Sequence, residues 1–316
     1  MRADNLQPCV ALVVPCYNEA AGLENTITVL TGQLQALVLK EIISINSYVL
    51  LVDDGSKDAT WQIIQKNSGP QIKGIKLSNN VGHQKALLAG LHYCTNRCDC
   101  CISLDADLQD DITVIEKMIV SFINGNKIVY GVRDNRSVDS SFKKGTAELF
   151  YKLLKWMNIN IVFNHADFRL ADNMVLNELR KYGETHIFLR GIFPLMGFKH
   201  EIIYYDRLER MEGETKYSLS KMAKLAIDGI TSFSGFPLKL ITIAGFAVFV
   251  GCLIAIVWVF IVLLRGKNAP GWASITLPIY FLGGIQLLAL GIIGTYINKV
   301  FEESKKRPVY HIEEII

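Results

Sequence analysis

A marked excess of either charge is missing from this chain. Its 316 residues carry 33 lysines and arginines against 30 aspartates and glutamates, for a net charge of +3. That balance gives no footing for nucleic-acid binding, which needs a basic surface. A cysteine framework is missing as well. The seven cysteines (Cys9, Cys16, Cys94, Cys98, Cys100, Cys101 and Cys252) are odd in number. The C-x-C-C spacing from Cys98 to Cys101 has no second pair and no nearby histidine pair to complete a zinc site. They read as small buried hydrophobes in a reducing cytosol. With half the residues apolar, a disordered or collagen-like chain is excluded. No secretory leader is expected: Arg2 and Asp4 precede only a short apolar stretch at 10–14.

What is present is uneven. The mean hydropathy of +0.26 is high for a soluble protein and low for a bundle of many membrane helices. Residues 240–264 and 273–297 contain no charged side chain. Each run has about 25 residues, enough to span a hydrocarbon core with some tilt. Pro278, Gly283, Gly284, Gly291 and Gly294 are tolerated in membrane helices, and small residues favour close helix packing. The link at 265–271 is short, so a transmembrane hairpin with both chain ends on one side is expected. Lys221, Lys224 and Lys239 precede the first run, and Lys299, Lys305, Lys306 and Arg307 follow the second. The positive-inside rule then puts the large N-terminal part, the short tail and so both termini in the cytoplasm of an integral inner (plasma) membrane protein. The expected division is 1–213, 214–239 as a juxtamembrane amphipathic helix, 240–297 as the hairpin, and 298–316 as a cytoplasmic tail.

The first 135 residues alternate short apolar runs with helical patterns. Strands are expected at 10–15, 48–52, 72–77, 101–104 and 127–131, with helices near 20–37, 59–66, 83–94 and 113–124. That alternation predicts an α/β domain with a mostly parallel, Rossmann-like sheet covered on both faces. Ligands of such sheets bind beyond the carboxyl ends of the strands. Four polar strand ends fall there: Pro15-Cys16-Tyr17-Asn18-Glu19, Asp53-Asp54-Gly55-Ser56, Asn79-Asn80-Val81-Gly82-His83-Gln84, and Asp105-Ala106-Asp107-Leu108-Gln109-Asp110. Asp105 and Asp107 are two apart on a strand end, so their side chains can point the same way. Carboxylates that close repel unless a cation lies between them, and oxygen ligands suit Mg²⁺ or Mn²⁺.

These four strings, in this order and spacing, resemble glycosyltransferase family 2. Ala166-Asp167-Phe168-Arg169-Leu170, the segment Arg207–Tyr217 and the hairpin after it narrow the resemblance to polyprenyl-phosphate glycosyltransferases. The bactoprenol glucosyltransferases are nearest, and the dolichyl-phosphate mannose synthases are more distant. Where many relatives read Thr-Gly-Asp-Phe-Arg-Leu, this chain reads Asn164-His165-Ala166-Asp167-Phe168-Arg169-Leu170. The resemblance implies a GT-A fold. It implies that Pro15, Tyr17, Glu19 and Asp53 line the nucleotide of a nucleotide sugar, and that Asp105 lies near the ribose and metal. Asp107 and Gln109 are then metal ligands, and Asp105, Asp107 and Asp167 the catalytic set. A homo-oligomer, a tetramer through the membrane part, is implied by relatives.

The acceptor implied is a phosphate on a long isoprenoid, undecaprenyl phosphate first, so the site should face membrane lipid. The patterns at 142–157 and 219–233 each give one apolar helical face among lysines, which suits a bilayer surface. Arg133, Arg207, Arg210 and Lys216 are candidates for the acceptor phosphate, since arginine pairs with phosphate bidentately and lysine adds a point charge. His165 reads as an ordinary solvated loop residue. The expected reaction is inverting transfer of a hexose, glucose from UDP-glucose first, with an N-acetylhexosamine or GDP-mannose as alternatives. A processive polysaccharide synthase would bring a Gln-x-x-Arg-Trp string, which is absent. A lipid translocase component and a catalytically inactive scaffold are the readings of another class.

Overall fold

Strands that are apolar at every position need cover on both faces, and this dictates the core. The computed structural model describes residues 7–133, 165–185, 187–206, 236–264 and 271–316. The chain divides into two units, Met1–Lys221 with Arg307–Ile316, and Met222–Lys306.

In the first unit, β1 (Val10–Cys16), β2 (Tyr48–Asp53) and β4 (Cys100–Ser103) are buried throughout. With β3 (Ile72–Leu77) they form a parallel set in the order β3-β2-β1-β4. The helices between them are α1 (Leu23–Leu39), α2 (Thr60–Asn67) and α3 (His83–Cys94). Leu23, Ile27, Leu30, Leu34 and Leu37 of α1 fall at helical spacing and are buried, which sets that helix on the sheet. Gly90 lets α3 lie close: a Cβ there would stand 2.4 Å from Val13 Cγ1. Cys98, Cys100 and Cys101 are buried, in keeping with their reading as small hydrophobes.

Beyond β4 the sheet continues through β6 (His165–Asp172), β5 (Ile128–Arg133) and β7 (His200–Tyr205). β6 is antiparallel to both β4 and β5, whereas β7 is parallel to β5. Helix α4 (Val114–Ile123) joins β4 to β5, and α5 (Asn173–Leu179) and α6 (Leu189–Leu195) join β6 to β7. The result is a mostly parallel, mixed α/β sheet. His165, expected in a loop, begins β6 and pairs with Val132.

The residues after Lys306 add a final strand, β8 (Ile312–Ile315), antiparallel to β3 at the sheet edge. Lys76 Nζ lies 2.8 Å from Glu313, and Trp61 Nε1 donates to Glu314 at 3.2 Å. His92 Nδ1 lies 2.9 Å from the Tyr310 hydroxyl. Burial, helped by the Arg180 charge, pushes His92 down to about 4. The unfolded chain therefore takes up this proton near pH 6.5 while the native state resists until about pH 4. Stability is full above pH 6.5 and falls by up to about 3 kcal/mol as pH drops through that window. His92→Gln is expected to show a smaller loss of urea midpoint between pH 7 and pH 4.5 than the natural protein.

The second unit holds two long helices, α7 (Phe236–Leu264) and α8 (Trp272–Ser304). Both outrun the apolar runs that define them, α7 by starting at Phe236 and α8 by continuing to Ser304. Among the described residues, Phe281–Ser304 is long and apolar enough to cross a membrane, and Pro237–Val248 is a shorter apolar helical stretch. The link at 265–270, the amphipathic patterns at 142–157 and 219–233, and Arg207, Arg210 and Lys216 lie outside the described residues.

Candidate active site

The carboxyl ends of β1 and β2 are laced together by their own loops. Asp54 N donates to Cys16 O at 2.8 Å, Asn18 N to Ser56 Oγ at 3.0 Å, and Lys57 N to Asn18 Oδ1 at 2.9 Å. Glu19 N donates to Thr60 Oγ1 at 3.0 Å, so the start of α2 joins the same knot. Pro15 is buried and Tyr17 exposed. Gly55 has φ +65°, and a Cβ there would meet the Asn79 carbonyl carbon at 2.6 Å. Asp54 holds the third loop by accepting from Val81 N at 2.8 Å and Gly82 N at 2.9 Å. Asp53 is fully buried. Its Oδ1 accepts from Ser56 N at 3.2 Å, while its Oδ2 is buried without a hydrogen-bond partner. Burial raises its pKa against the Ser56 hydrogen bonds.

The fourth loop leaves β4 with Leu104 N donating to Val13 O at 3.1 Å. Thr26 Oγ1 of α1 donates to Ala106 O at 2.8 Å, and Gln109 N to Asp107 Oδ1 at 3.3 Å. Gln109 is buried. Asp110 Oδ1 takes Arg133 Nη2 at 2.7 Å, Arg133 Nε at 3.1 Å and the Tyr205 hydroxyl. Arg133, a candidate for the acceptor phosphate, is thus clasped to the acidic loop.

Asp167 lies on β6, two positions past the pairing of Arg169 with Ser103. The carboxylate accepts from Arg169 Nη2 at 2.6 Å, from Arg190 at 3.2 and 3.3 Å, and from Gln84 Nε2 at 3.1 Å. His83 Nε2 stands between two acids, 3.4 Å from Asp167 Oδ2 and 3.5 Å from Asp105 Oδ1. Burial works against the charged form of Asp167, yet Arg190, the His83 contact and Arg169 hold the carboxyl well below the usual range. Asp105 goes the other way. Burial pushes it up to about 6; His83 opposes this, while Asp167, Asp110 and Asp107 reinforce it.

The fit to a divalent cation follows from this donor set. Asp105 and Asp107 supply hard oxygens among carboxylates that repel one another. Among the described residues no three His, Cys, Asp or Glu side chains are grouped to enclose a metal by themselves. A Mg²⁺-like ion is held by one or two carboxylates and completes its shell with water and a ligand's phosphates, so Asp105 and Asp107 are donors of the right kind.

The sheet edge thus brings together Pro15, Tyr17, Glu19, Asp53, Asp105, Asp107 and Gln109, with Asp167 beside them through His83. Sequence reasoning passed over the contacts of four residues. His83, Gln84 and Arg169 lie inside strings already singled out, and only their pairing with Asp167 was hidden. Arg190 lies 23 residues beyond Asp167 in the chain, and no local pattern marks it.

An α/β sheet with acidic residues at its strand ends is shared by many enzymes; relatives in sequence show that this chain is a glycosyltransferase. The sequence model of "Glycosyl transferase family 2" matches residues 11–180, and the chain belongs to that family. It is 48% identical over 309 residues to "Uncharacterized glycosyltransferase YkoT" of Bacillus subtilis (strain 168), covering 97% of this chain and 92% of that one. It is 37% identical over 310 residues to "Prophage bactoprenol glucosyl transferase homolog" of Escherichia coli (strain K12), covering 97% and 99%. With "Bactoprenol glucosyl transferase" of Shigella phage SfV the identity is 36% over 308 residues, covering 96% and 98%.

Proposed function

We propose that the protein transfers glucose from UDP-glucose to a polyprenyl phosphate such as undecaprenyl phosphate, with inversion at the sugar's anomeric carbon. The lipid-phosphate sugar formed would serve glycosylation of the cell envelope. Two relatives that match nearly the whole chain carry bactoprenol glucosyl transferase in their names. The single structural observation that carries the donor half is Asp53. A buried carboxylate oxygen without a donor is costly, and an N–H of a nucleobase would satisfy it.

The acceptor needs little activation. A phosphate monoester has its second pKa near ~6 and is mostly dianionic at neutral pH. Its oxygen is already the nucleophile, so no strong base is required. Asp167, held well below the usual carboxylate range, is a poor base, and it suits an orienting role through the Arg169, Arg190, Gln84 and His83 side chains gathered on it. Arg133, with Arg207, Arg210 and Lys216, would offset repulsion between two anionic substrates. Asp105 and Asp107, with Gln109, would hold Mg²⁺ or Mn²⁺, whose chemistry is to offset charge on the departing nucleoside diphosphate. The apolar stretch Phe281–Ser304 supports a membrane seat. On the same reading the catalytic unit lies on the cytoplasmic side of the plasma membrane, from the lysines that flank the apolar runs, with a homo-oligomer through the helices.

The test is transfer of labelled sugar into organic-extractable lipid by purified full-length protein. Undecaprenyl phosphate is offered with UDP-glucose, UDP-N-acetylglucosamine or GDP-mannose in separate reactions. EDTA-sensitive label from UDP-glucose alone is expected. Label from another donor would replace the sugar but keep the reaction. No label from any donor would sink the reading.

A further inference from the structure

Asp167 has more donors than it can use. A carboxylate offers about four lone-pair positions. Five donor atoms converge on this one, from Arg169, Gln84, His83 and twice from Arg190. They are not held alike. Arg169 is 1% exposed and makes the shortest contact, 2.6 Å. It is fixed further by donating to Leu189 O at 3.2 Å and by lying over the Phe193 ring at 4.6 Å. Gln84 is anchored at its other end, where its Oε1 accepts from Leu189 N at 3.2 Å. Arg190 reaches the same carboxylate from nearer the surface. Its side chain is 35% exposed. Its contacts with Asp167, at 3.2 and 3.3 Å, are long for charge-assisted hydrogen bonds, which run about 2.7–2.9 Å.

Charge leads to the same residue. Arg190 adds to the charge that stabilises Asp167, but the buried carboxylate keeps Arg169 at 2.6 Å when Arg190 moves away, so it is not left unpaired. Its guanidinium is planar, always charged and matched to phosphate in bidentate fashion. It stands beside the His83 that bridges Asp167 to Asp105, at a site that must hold two phosphate-bearing substrates.

We propose that Arg190 is a substrate-binding residue, which in the loaded enzyme turns from Asp167 to a phosphate oxygen of the donor diphosphate or of the acceptor. This rests on the transferase reading above. The fork of Arg190 then grips the substrate while Arg169 and Gln84 keep Asp167 in place.

The experiment compares Arg190→Gln and Arg190→Lys with the natural protein, full length and in detergent. It measures KM for each substrate, kcat, and direct binding of UDP and of undecaprenyl phosphate in separate arms. Arg190→Gln should weaken one substrate roughly tenfold or more, in both KM and direct binding, and leave the other within about threefold. Arg190→Lys should recover part of that loss, since it restores charge without the fork. Weakened UDP binding would name the donor diphosphate as the ligand; weakened polyprenyl phosphate binding would name the acceptor. Both affinities unchanged, or a loss confined to thermal stability or kcat, would overturn the proposal and leave Arg190 as a strut between α6 and β6. If the natural protein transferred no sugar at all, the transferase reading would fail on its own. The two binding arms would still decide whether Arg190 holds a phosphate.

Discussion

Asp107→Asn is expected to cut sugar transfer by roughly a thousandfold, on the scale of several kcal/mol that a divalent ion contributes to a transition state bearing new charge. The substitution keeps size and shape. The hydrogen bond from Gln109 N to Asp107 Oδ1, at 3.3 Å, is equally available to an amide oxygen. Thermal stability should therefore stay close to that of the natural protein. What goes is one of the two negative charges proposed to hold the metal, at Asp105 and Asp107. The control is EDTA: the natural enzyme should fall to the level of the variant, and the residual activity of the variant should be insensitive to chelation. A variant that retained a tenth of the activity, still chelator-sensitive, would move the metal site away from Asp107.

Asp167→Asn is expected to damage stability as well as activity. Arg169 is almost wholly buried, and its carboxylate partner lies 2.6 Å away. Neutralising one member of a buried pair leaves the other uncompensated, at a cost of about 3–5 kcal/mol. The pH dependence follows from the direction of the shift. Burial would raise the Asp167 carboxyl, but Arg190, His83 and Arg169 leave it well below its ordinary value. Its stabilisation is therefore complete above the unfolded-state value of about 3.9 and is lost as pH falls through the lower native value. Urea midpoints of the natural protein and the variant should differ widely at pH 7 and converge in strong acid. Turnover should fall together with substrate affinity, since an ill-placed carboxamide no longer orders the site. Should the variant bind both substrates normally and yet be inert, Asp167 would be an obligatory base and the orienting role would be wrong.

The parallel half of the sheet was legible because its strands are buried on both faces. A run such as Val10–Cys16 has one reading once a helical pattern follows it. The antiparallel insertion of β6 was not legible. Its charged residues, Asp167, Arg169 and Asp172, give a polar pattern, yet all three are buried. Asp167 and Arg169, two apart on one strand, pair with each other, and no periodicity reports a buried ion pair. The strand-end acids of the site were legible for a different reason: an α/β sheet sends every β-to-α loop to one edge, so polar strings there must converge. Arg190 escaped because its contact depends on how α6 returns to β6. β8 escaped because Ile312-Glu313-Glu314-Ile315 is short and polar, as sheet edges tend to be.

The edge strand also sets an order of assembly. Lys76 and its partner Glu313 are 237 residues apart in the chain, and both long helices lie between them. At roughly 5–20 residues per second, the ribosome delivers the closing strand roughly 12–50 s after β3 has been made. During that interval β3 offers unpaired backbone groups to any neighbouring strand. The catalytic sheet is sealed only after the whole helical unit has been synthesised. A mutation that delays those helices would therefore be felt first as aggregation of the unit that precedes them, with every residue of its active site intact.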